Sequence, residues 1–309
     1  MKSIATLTMN PTIDVAYEVE SVFHTRKMRT SGECYAPGGG GINVARVFVR
    51  LGGNARCIYL SGGPTGPALD GLVDLHQLVR MRIAIREPTR LSTAVYERES
   101  GREYRFVPPG PTVAPDEWQQ CLDRIGQLEC DYLVASGSLP PGVPADFYAR
   151  AAEIARARDI GVVLDSSGEA LREGLAGGGL LLIKPSLGEF RQLVGRELEA
   201  PEEVGEEALA IVERGQAEMV AVTMGHRGAV LASKEGTLHL PAIDVEAKSA
   251  VGAGDSFLAA MVHALARDWD AVDAFRFGMA AGSAAVLTPG TNLAYPPDIE
   301  RLFASVPSG

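Results

Sequence analysis

Short apolar runs alternate with amphipathic segments along most of this chain. The runs predict buried strands, and the amphipathic segments repeat apolar residues at the three- and four-residue spacing of a helix. The predicted strands are residues 4–9, 55–60, 132–135, 161–165, 180–183 and 219–224. The predicted helices are residues 43–51, 68–79, 145–158, 187–194, 202–214, 256–267 and 271–288. This alternation predicts an α/β fold in which helices cover both faces of a mostly parallel sheet.

Two stretches depart from that pattern. Residues 15–35 and 91–107 show β-type alternation of apolar and polar positions, with Ser100-Gly101 as a turn inside the second stretch. We expect them to form a small separate sheet inserted into the α/β body. The expected body is then residues 1–14, 36–90 and 108–309, and the expected small sheet is residues 15–35 and 91–107.

Composition excludes several classes of protein. A hydrophobic fraction of 46% excludes intrinsic disorder, and no apolar run has the roughly 18–20 residues of a membrane-spanning helix. The first residues lack the features of a secretory signal, so we expect a cytoplasmic protein without a membrane partner. The net charge of −10, from 29 basic and 39 acidic residues, argues against nucleic acid as the ligand. The cysteines and histidines show no zinc-ligand spacing, and no G-x-S-x-G motif is present.

The strongest chemical signal is Val251-Gly252-Ala253-Gly254-Asp255-Ser256, which directly precedes an apolar helical pattern. Glycines at a helix start leave backbone N–H groups accessible, and the helix dipole adds positive potential, so the turn can bind an anion. An Asp beside such a turn can take a proton from an attacking hydroxyl while the N–H groups stabilise a transferred phosphoryl group. The alternative is that Asp255 only caps its helix.

A second signal is the run Pro37-Gly38-Gly39-Gly40-Gly41-Ile42-Asn43-Val44-Ala45. Consecutive glycines before a helix permit close approach of a polar ligand to the backbone, and the Asn43 amide can both donate to and accept from hydroxyls. The alternatives are a flexible hinge or a dinucleotide-binding loop. The latter fits poorly, because no acidic residue ends a strand about 20 residues further on.

Two more motifs lie between these, Lys184-Pro185-Ser186-x-x-Glu189 and Thr223-Met224-Gly225-x-x-Gly228. In this order and over nearly its whole length, the chain resembles the ribokinase-like (PfkB-type) sugar kinase family. The resemblance implies a three-layer α/β/α fold with a small β-sheet lid, and ATP-dependent phosphorylation of a sugar phosphate. Members that act on fructose 1-phosphate or tagatose 6-phosphate usually carry a Lys where this chain has Gly40. The implied reaction is therefore phosphorylation of O1 of fructose 6-phosphate, giving fructose 1,6-bisphosphate and ADP.

The resemblance also implies roles for individual residues. For the transfer step it implies Asp255 as general base, an anion hole at Gly252, Ala253 and Gly254, and Lys27 near the phosphates in transit. For the sugar phosphate it implies Asp14, Gly39, Gly40, Asn43, Arg90 and Ser138, with Arg90 on the 6-phosphate and Asp165 in the same cleft. For ATP it implies Lys184, Ser186, Thr223, Gly225, Gly228, Gly282 and Ser283. For Mg²⁺ it implies Glu189, acting through water. It also implies a potassium-binding loop, as in some members of the family, formed by Ser249, Val251, Ala285, Thr288, Gly290 and Asn292.

Other functions stay open from the sequence. The family's usual Lys-Pro-Asn is replaced by Lys184-Pro185-Ser186, and Ala250 stands where Thr is common. Both changes remove a side-chain group near the nucleotide or the anion hole. A kinase of the same fold acting on fructose 1-phosphate, tagatose 6-phosphate or a nucleoside is one alternative, and a non-catalytic sugar-phosphate sensor is another. The exposed edges of a lid sheet further predict a homodimer formed through the lids.

Overall fold

The computed structural model describes residues 1–246, 248–288 and 292–307. Its strands, in chain order, are β1 (Ile4–Thr8), β2 (Thr12–Val19), β3 (Ser31–Gly38), β4 (Ala55–Gly62), β5 (Val79–Ile85), β6 (Arg90–Glu97), β7 (Arg102–Phe106), β8 (Tyr132–Ser136), β9 (Gly161–Asp165), β10 (Leu180–Ile183), β11 (Ala217–Thr223), β12 (Ala229–Ser233) and β13 (Gly236–Leu240). The helices are α1 (Gly40–Arg50), α2 (Gly66–Leu75), α3 (Pro115–Ile125), α4 (Phe147–Arg156), α5 (Gly168–Ala176), α6 (Leu187–Val194), α7 (Pro201–Glu213), α8 (Ala253–Leu265), α9 (Ala271–Val286) and α10 (Pro296–Phe303).

A nine-stranded sheet forms the body, in the order β13-β12-β11-β10-β9-β8-β1-β4-β5. The seven neighbouring strands from β11 to β5 in this order run parallel, whereas β12 and β13 are antiparallel additions at one edge. Alternate residues of β1 enter separate cores, because successive strand side chains point to opposite faces. Ile4 packs in the core that contains α1, α8 and α9, and Leu7 packs in the core that contains α3, α4 and α7. The predicted three-layer α/β/α fold is confirmed.

The second sheet has four strands in the order β3-β2-β6-β7. Strands β2 and β6 are parallel, and the outer strands β3 and β7 pair antiparallel to them. Strand β2 starts at Thr12, directly after β1 and the short link from Met9 to Pro11, so the two sheets meet at the carboxyl end of β1. The turn predicted at Ser100-Gly101 joins β6 to β7, with the Gly101 N–H bonded to the Glu97 carbonyl.

Several elements differ from the sequence prediction. The helix predicted over residues 68–79 is wrong at its end, because α2 stops at Leu75, Gln77 adopts a φ of 57°, and β5 begins at Val79. Strands β5, β12 and β13 and helices α3, α5 and α10 lie outside the predicted elements. The period-2 alternation of Val79, Met81 and Ile83 with Arg80 and Arg82 is typical of a strand, but the predicted helix was extended to Val79 and covered its start. Among the described residues, no helix is long and apolar enough to cross a membrane.

Candidate active site

A cleft of about 380 Å³ lies where the small sheet faces the carboxyl edge of the large sheet. In open parallel sheets this edge is the usual position of ligand sites, because the loops that follow neighbouring strands converge there. Ser136 and Asp165, the last residues of β8 and β9, both line the cleft. Of the predicted site residues, the lining includes Asp14, Gly39, Gly40, Asn43, Arg90, Ser138, Asp165, Glu189, Val251, Gly252 and Asp255.

The turn before α8 brings the partly buried carboxylate of Asp255 to this cleft. Gly252 caps the helix with a φ of 73°, a left-handed conformation that favours glycine, and a Cβ there would lie 2.4 Å from the Leu293 side chain. Asp255 therefore sits in the first turn of α8, where N–H groups lack partners within the helix and the dipole is positive. Its Oδ2 accepts a 2.8 Å hydrogen bond from the Asn43 amide. Burial raises the pKa of Asp255, and Asn43, Lys184 and Arg46 oppose that rise.

The glycine loop before α1 packs too closely for side chains. A Cβ on Gly40 would lie 2.1 Å from Ser136 Oγ and 3.1 Å from the Ser136 backbone carbon. Gly39 is the N-cap of α1 with a φ of 109°, and a Cβ there would meet the Thr8 side chain at 2.6 Å. The backbone of the loop therefore forms the cleft wall itself, and Asn43 projects from the first turn of α1 toward Asp255.

Asp165 and Lys184 form a buried ion pair at the ends of β9 and β10. Lys184 Nζ lies 3.3 Å from Asp165 Oδ1, and the two side chains are 5% and 14% exposed. Burial raises the pKa of Asp165 to about 6, although Lys184 opposes the shift. Burial alone would lower the pKa of Lys184, but Asp165, Asp255 and Glu189 together raise it, so the lysine remains a cation beside the cleft.

The small sheet contributes a second carboxylate and a cation. Burial raises the pKa of Asp14, on β2, to about 6 against the effect of Arg105, Arg46 and Arg90. The Arg90 guanidinium is held by the carbonyls of Asn10 and Pro108, both at 2.8 Å. Ser138 Oγ accepts a 3.2 Å hydrogen bond from the Asn10 amide, so its position is also fixed by the link between the sheets.

Most residues predicted for ATP lie at or after the ends of β10 and β11 on the same sheet edge, and two lie on α9. Ser186 and Glu189 form a capping box at the start of α6, in which the Ser186 N–H and hydroxyl both donate to Glu189 Oε2 at 2.7 Å. Thr223 ends β11, and its N–H bonds to the Pro185 carbonyl. Gly225 and Gly228, in the turn that follows, have φ values of 59° and 91°. Gly282 packs against the start of α8, where a Cβ would lie 3.5 Å from the Ala253 carbonyl, and Ser283 follows it on α9.

The residues of the predicted potassium loop come together behind the anion-hole turn. The Thr288 hydroxyl lies 2.7 Å from the Ala285 carbonyl and 2.6 Å from the Asn292 carbonyl. The Ser249 N–H bonds to the Val286 carbonyl, and the Val251 N–H bonds to Ser249 Oγ. Gly290, predicted for the same loop, lies outside the described residues.

Lys27 differs in position from Gly252 and Asp255, which are predicted for the same transfer step and line the cleft. It is exposed in the connection between β2 and β3 and is separate from the residues that line the cleft, so its role stays a prediction. Conversely, the cleft contains Arg105, Ser92 and Thr12, which the sequence analysis missed. Arg105 lies in the alternating stretch Tyr104-Arg105-Phe106-Val107, and a cation inside a predicted lid strand was the available signal.

This site defines a class of protein. A partly buried carboxylate at the amino end of a helix, backbone amides in the turn before it, a buried lysine and two arginines are typical of a phosphoryl-transfer centre. The chain belongs to the pfkB family of carbohydrate kinases, whose family model matches residues 6–298.

Phosphofructokinases are among the relatives of this chain. It is 42% identical to ATP-dependent 6-phosphofructokinase isozyme 2 of Mycobacterium tuberculosis over 302 residues, covering 97% of this chain and 88% of that protein. It is 38% identical to the Escherichia coli isozyme 2, covering 98% of this chain and 99% of that protein. A 1-phosphofructokinase of Bacillus subtilis is 30% identical, covering 91% of each chain.

Solved structures show the same similarity. The E. coli phosphofructokinase-2 in complex with potassium superposes with a TM-score of 0.95 at 38% identity, covering 99% of both chains. The same enzyme in complex with fructose-6-phosphate gives 0.93 at 37% identity, with the same coverage. Its tetrameric inhibited form gives 0.92 at 37% identity, again covering 99% of each chain.

Proposed function

We propose that this protein is an ATP-dependent 6-phosphofructokinase, which transfers the γ-phosphoryl group of ATP to O1 of fructose 6-phosphate. The observation that carries the proposal is the partly buried Asp255 carboxylate, bonded to Asn43 at the start of α8 and facing the cleft. The names of the relatives at 42% and 38% identity support this substrate over fructose 1-phosphate.

The chemistry of the transfer follows from this position. Asp255 takes the proton of the O1 hydroxyl as that oxygen forms a bond to the γ-phosphorus, and the bond to the β–γ bridging oxygen breaks to release ADP. Its raised pKa makes Asp255 a stronger base than an exposed carboxylate. The amides of Gly252, Ala253 and Gly254 stabilise the negative charge of the transferred group, and Lys27 is proposed to approach the same phosphates.

The sugar phosphate lies between the two sheets in this proposal. Its hydroxyls bind Asp14, Asn43, Ser138 and the backbone at Gly39 and Gly40. Arg90 binds the 6-phosphate, and Arg105 adds a second positive charge at the same wall of the cleft. A Cβ at position 40 would collide with Ser136, so the lysine of fructose 1-phosphate and tagatose 6-phosphate kinases does not fit the loop in this packing.

ATP lies along the carboxyl ends of β10 and β11 in this proposal. Lys184 and Ser186 bind its phosphates, Thr223, Gly225 and Gly228 form the adjacent wall, and Gly282 and Ser283 lie near adenine. The Ser186 hydroxyl also donates to Glu189 Oε2 at 2.7 Å, so Ser186 fixes that carboxylate beside the proposed phosphate site.

The cleft suits magnesium held largely by phosphates and water. Within the described ranges, no group of three or more His, Cys, Asp or Glu side chains could hold a metal ion by itself. Glu189 and Asp165 nevertheless supply carboxylate oxygens at the cleft, and Mg²⁺ prefers oxygen ligands while keeping part of its hydration. We propose that Glu189 binds the ion through water. Magnesium would neutralise charge on the ATP phosphates.

The segment behind the anion hole suits potassium. A single Thr288 hydroxyl lies between two carbonyl oxygens but has only one proton to donate, so oxygen acceptors are in excess there. We propose that carbonyls at Ser249, Val251, Ala285, Thr288 and Asn292 bind the cation.

The small sheet is proposed to act as a lid and as a dimer interface. Exclusion of water from the cleft prevents hydrolysis of ATP. Large apolar side chains are unusually exposed on this sheet and its connections, at Val22, Phe23, Met28, Tyr35, Leu91, Tyr96, Phe106 and Val107. Such a concentration favours burial against a second copy of the chain. A cytoplasmic location is proposed as well, because all four cysteines are free, as in a reducing compartment.

A substrate panel tests the proposal. ADP release with ATP and Mg²⁺ is measured for fructose 6-phosphate, fructose 1-phosphate, tagatose 6-phosphate, fructose and a nucleoside, with Asp255→Asn as the control for contaminating kinases. We expect the highest kcat/KM with fructose 6-phosphate. A higher value with another sugar would assign the protein to that substrate, and binding without turnover for every compound would make it a sugar-phosphate sensor.

A further inference from the structure

Arg46 is a buried cation one helical turn beyond Asn43 on α1, and it is only 4% exposed. Its Nη1 donates to Asn43 Oδ1 and to the Pro37 carbonyl, both at 3.1 Å. Its Nε–H is buried without a hydrogen-bond partner among the described residues. Burial of a guanidinium costs free energy that neutral oxygen acceptors offset only in part. The fold therefore retains a costly side chain at this position, next to the proposed base.

We propose that Arg46 is a positioning residue for phosphoryl transfer, which fixes the orientation of the Asn43 amide that holds Asp255. The inference rests on the proposed function. An amide can rotate by half a turn and exchange its oxygen and nitrogen. With Arg46 donating to Oδ1, the Nδ2 group must face Asp255, whose Oδ2 it reaches at 2.8 Å. The rotated amide would set oxygen against carboxylate and N–H against guanidinium, and both contacts are repulsive.

The charge of Arg46 supports the same role. Burial lowers the pKa of Arg46 to about 10, so the side chain is still protonated at neutral pH. Its positive charge favours the ionised forms of Asp255 and Asp14. The other charged groups facing Asp255 are Lys184, at the end of β10, and the carboxylates of Asp14 and Asp165, on β2 and β9.

A second contact links this orientation to the sugar loop. The bond from Nη1 to the Pro37 carbonyl ties Arg46 to the residue that enters the glycine run. One nitrogen therefore fixes both the loop proposed to bind the sugar and the amide that holds the base. A base displaced by about 1 Å from its acceptor can cost on the order of 100-fold in rate.

A double-mutant cycle on the full-length protein tests the inference. The variants are Arg46→Met, Asn43→Ala and the pair, measured for kcat and KM with fructose 6-phosphate and ATP. We expect Arg46→Met to lower kcat by about 10- to 100-fold while KM for ATP stays within about 2-fold. In the Asn43→Ala background, removal of Arg46 should add less than about a 3-fold loss, because the group through which it acts is gone.

Two further variants separate positioning from folding. Arg276→Met removes another largely buried arginine, which donates to the Pro307 and Val306 carbonyls and is not among the residues that line the cleft, and it should leave kcat unchanged. Arg46→Lys retains the charge and should lose less kcat than Arg46→Met. If Arg46→Met does not fold, the cycle is measured with Arg46→Lys.

The outcomes are distinguishable. If the kcat losses of the two single variants multiply in the double variant, or if Arg46→Met only raises KM for ATP, the proposed role of Arg46 is overturned. Either outcome leaves the proposed function intact. A wild-type protein without turnover of any sugar phosphate would overturn the proposed function and this inference together.

Discussion

The Asn43 amide donates a 2.8 Å hydrogen bond to Asp255 although the two residues are 212 positions apart in the chain. Asn43 belongs to α1, directly after the glycine loop, and Asp255 belongs to the first turn of α8. Helices α1 and α8 pack in one core on the same face of the large sheet, which brings their amino ends together. The hydrogen bond thus joins the proposed sugar-binding loop to the proposed catalytic base.

Replacement of the base should abolish most turnover without loss of binding. We expect Asp255→Asn to lower kcat by about 10²–10⁴-fold, because the amide keeps the shape of the side chain but cannot accept the hydroxyl proton. Equilibrium binding of ATP and fructose 6-phosphate, measured by calorimetry, should remain close to wild type. Near-normal turnover in this variant would remove the base assignment.

Arg90 should distinguish phosphorylated from free sugar. We expect Arg90→Ala to raise KM for fructose 6-phosphate far more than KM for fructose, since only the former carries the 6-phosphate. The comparison variant is Arg105→Ala. The Arg105 side chain lies at the same cleft wall as Arg90 but does not bond to the Asn10 and Pro108 carbonyls. Equal effects of Arg90→Ala on both sugars would assign the 6-phosphate to another residue.

The ionised Asp14 side chain should lower the free energy of unfolding at neutral pH. Burial raises its pKa from 3.8 to about 6, so the folded protein binds this proton more tightly than the unfolded chain does. The free energy of unfolding contributed by Asp14 therefore falls as pH rises from about 4 to about 6. We expect Asp14→Asn to raise that free energy at pH 7.5 by about 2 kcal/mol and to weaken sugar binding. Urea denaturation at pH 4 and pH 7.5 measures this, and an equal stability gain at both pH values would show that the raised pKa is not its cause.

The glycine loop should not tolerate a methyl group at position 40. A Cβ there lies 2.1 Å from Ser136 Oγ, so Gly40→Ala should lower the free energy of unfolding by about 1–3 kcal/mol. Gly71→Ala is the control, because a Cβ at Gly71 in α2 meets nothing within 4 Å and should raise stability by about 0.5–1 kcal/mol. Ser136→Gly should partly restore the Gly40→Ala protein; without any such rescue, this contact is not the cause of the loss.

The small sheet, proposed as the lid, should form the subunit interface. Phe106 is 61% exposed on β7, and Phe106→Glu should shift the protein toward monomer in sedimentation velocity experiments. Leu75, at the end of α2 on the body, is 78% exposed and provides the control, since Leu75→Glu should leave the assembly unchanged. A wild-type protein that sediments as a monomer at micromolar concentration would reject the dimer.

Local patterns were sufficient where a single segment specifies its own structure. Helix α6 and strands β9 and β10 match their predicted spans, because their apolar spacing is regular and their ends carry turn residues. The boundary between α2 and β5 was predicted wrongly. Val79 continues the apolar spacing of α2, so the predicted helix was extended into β5, although the alternation of Val79, Met81 and Ile83 with arginines is itself a strand signal.

The residues of the candidate site also differ in whether the local sequence or the packing of distant segments identifies them. The amino-acid order alone indicated the anion-binding turn and the glycine loop, because glycine runs and helix starts have a local chemistry. Asp14, Arg90 and Ser138 were implied only by the family resemblance. Arg105, Arg46 and the separation of Lys27 from the cleft depended on the packing of distant segments. Hydrogen bonds, burial and pKa shifts are set by groups that meet only after folding, so the tertiary structure alone determined which cations and carboxylates act on one another.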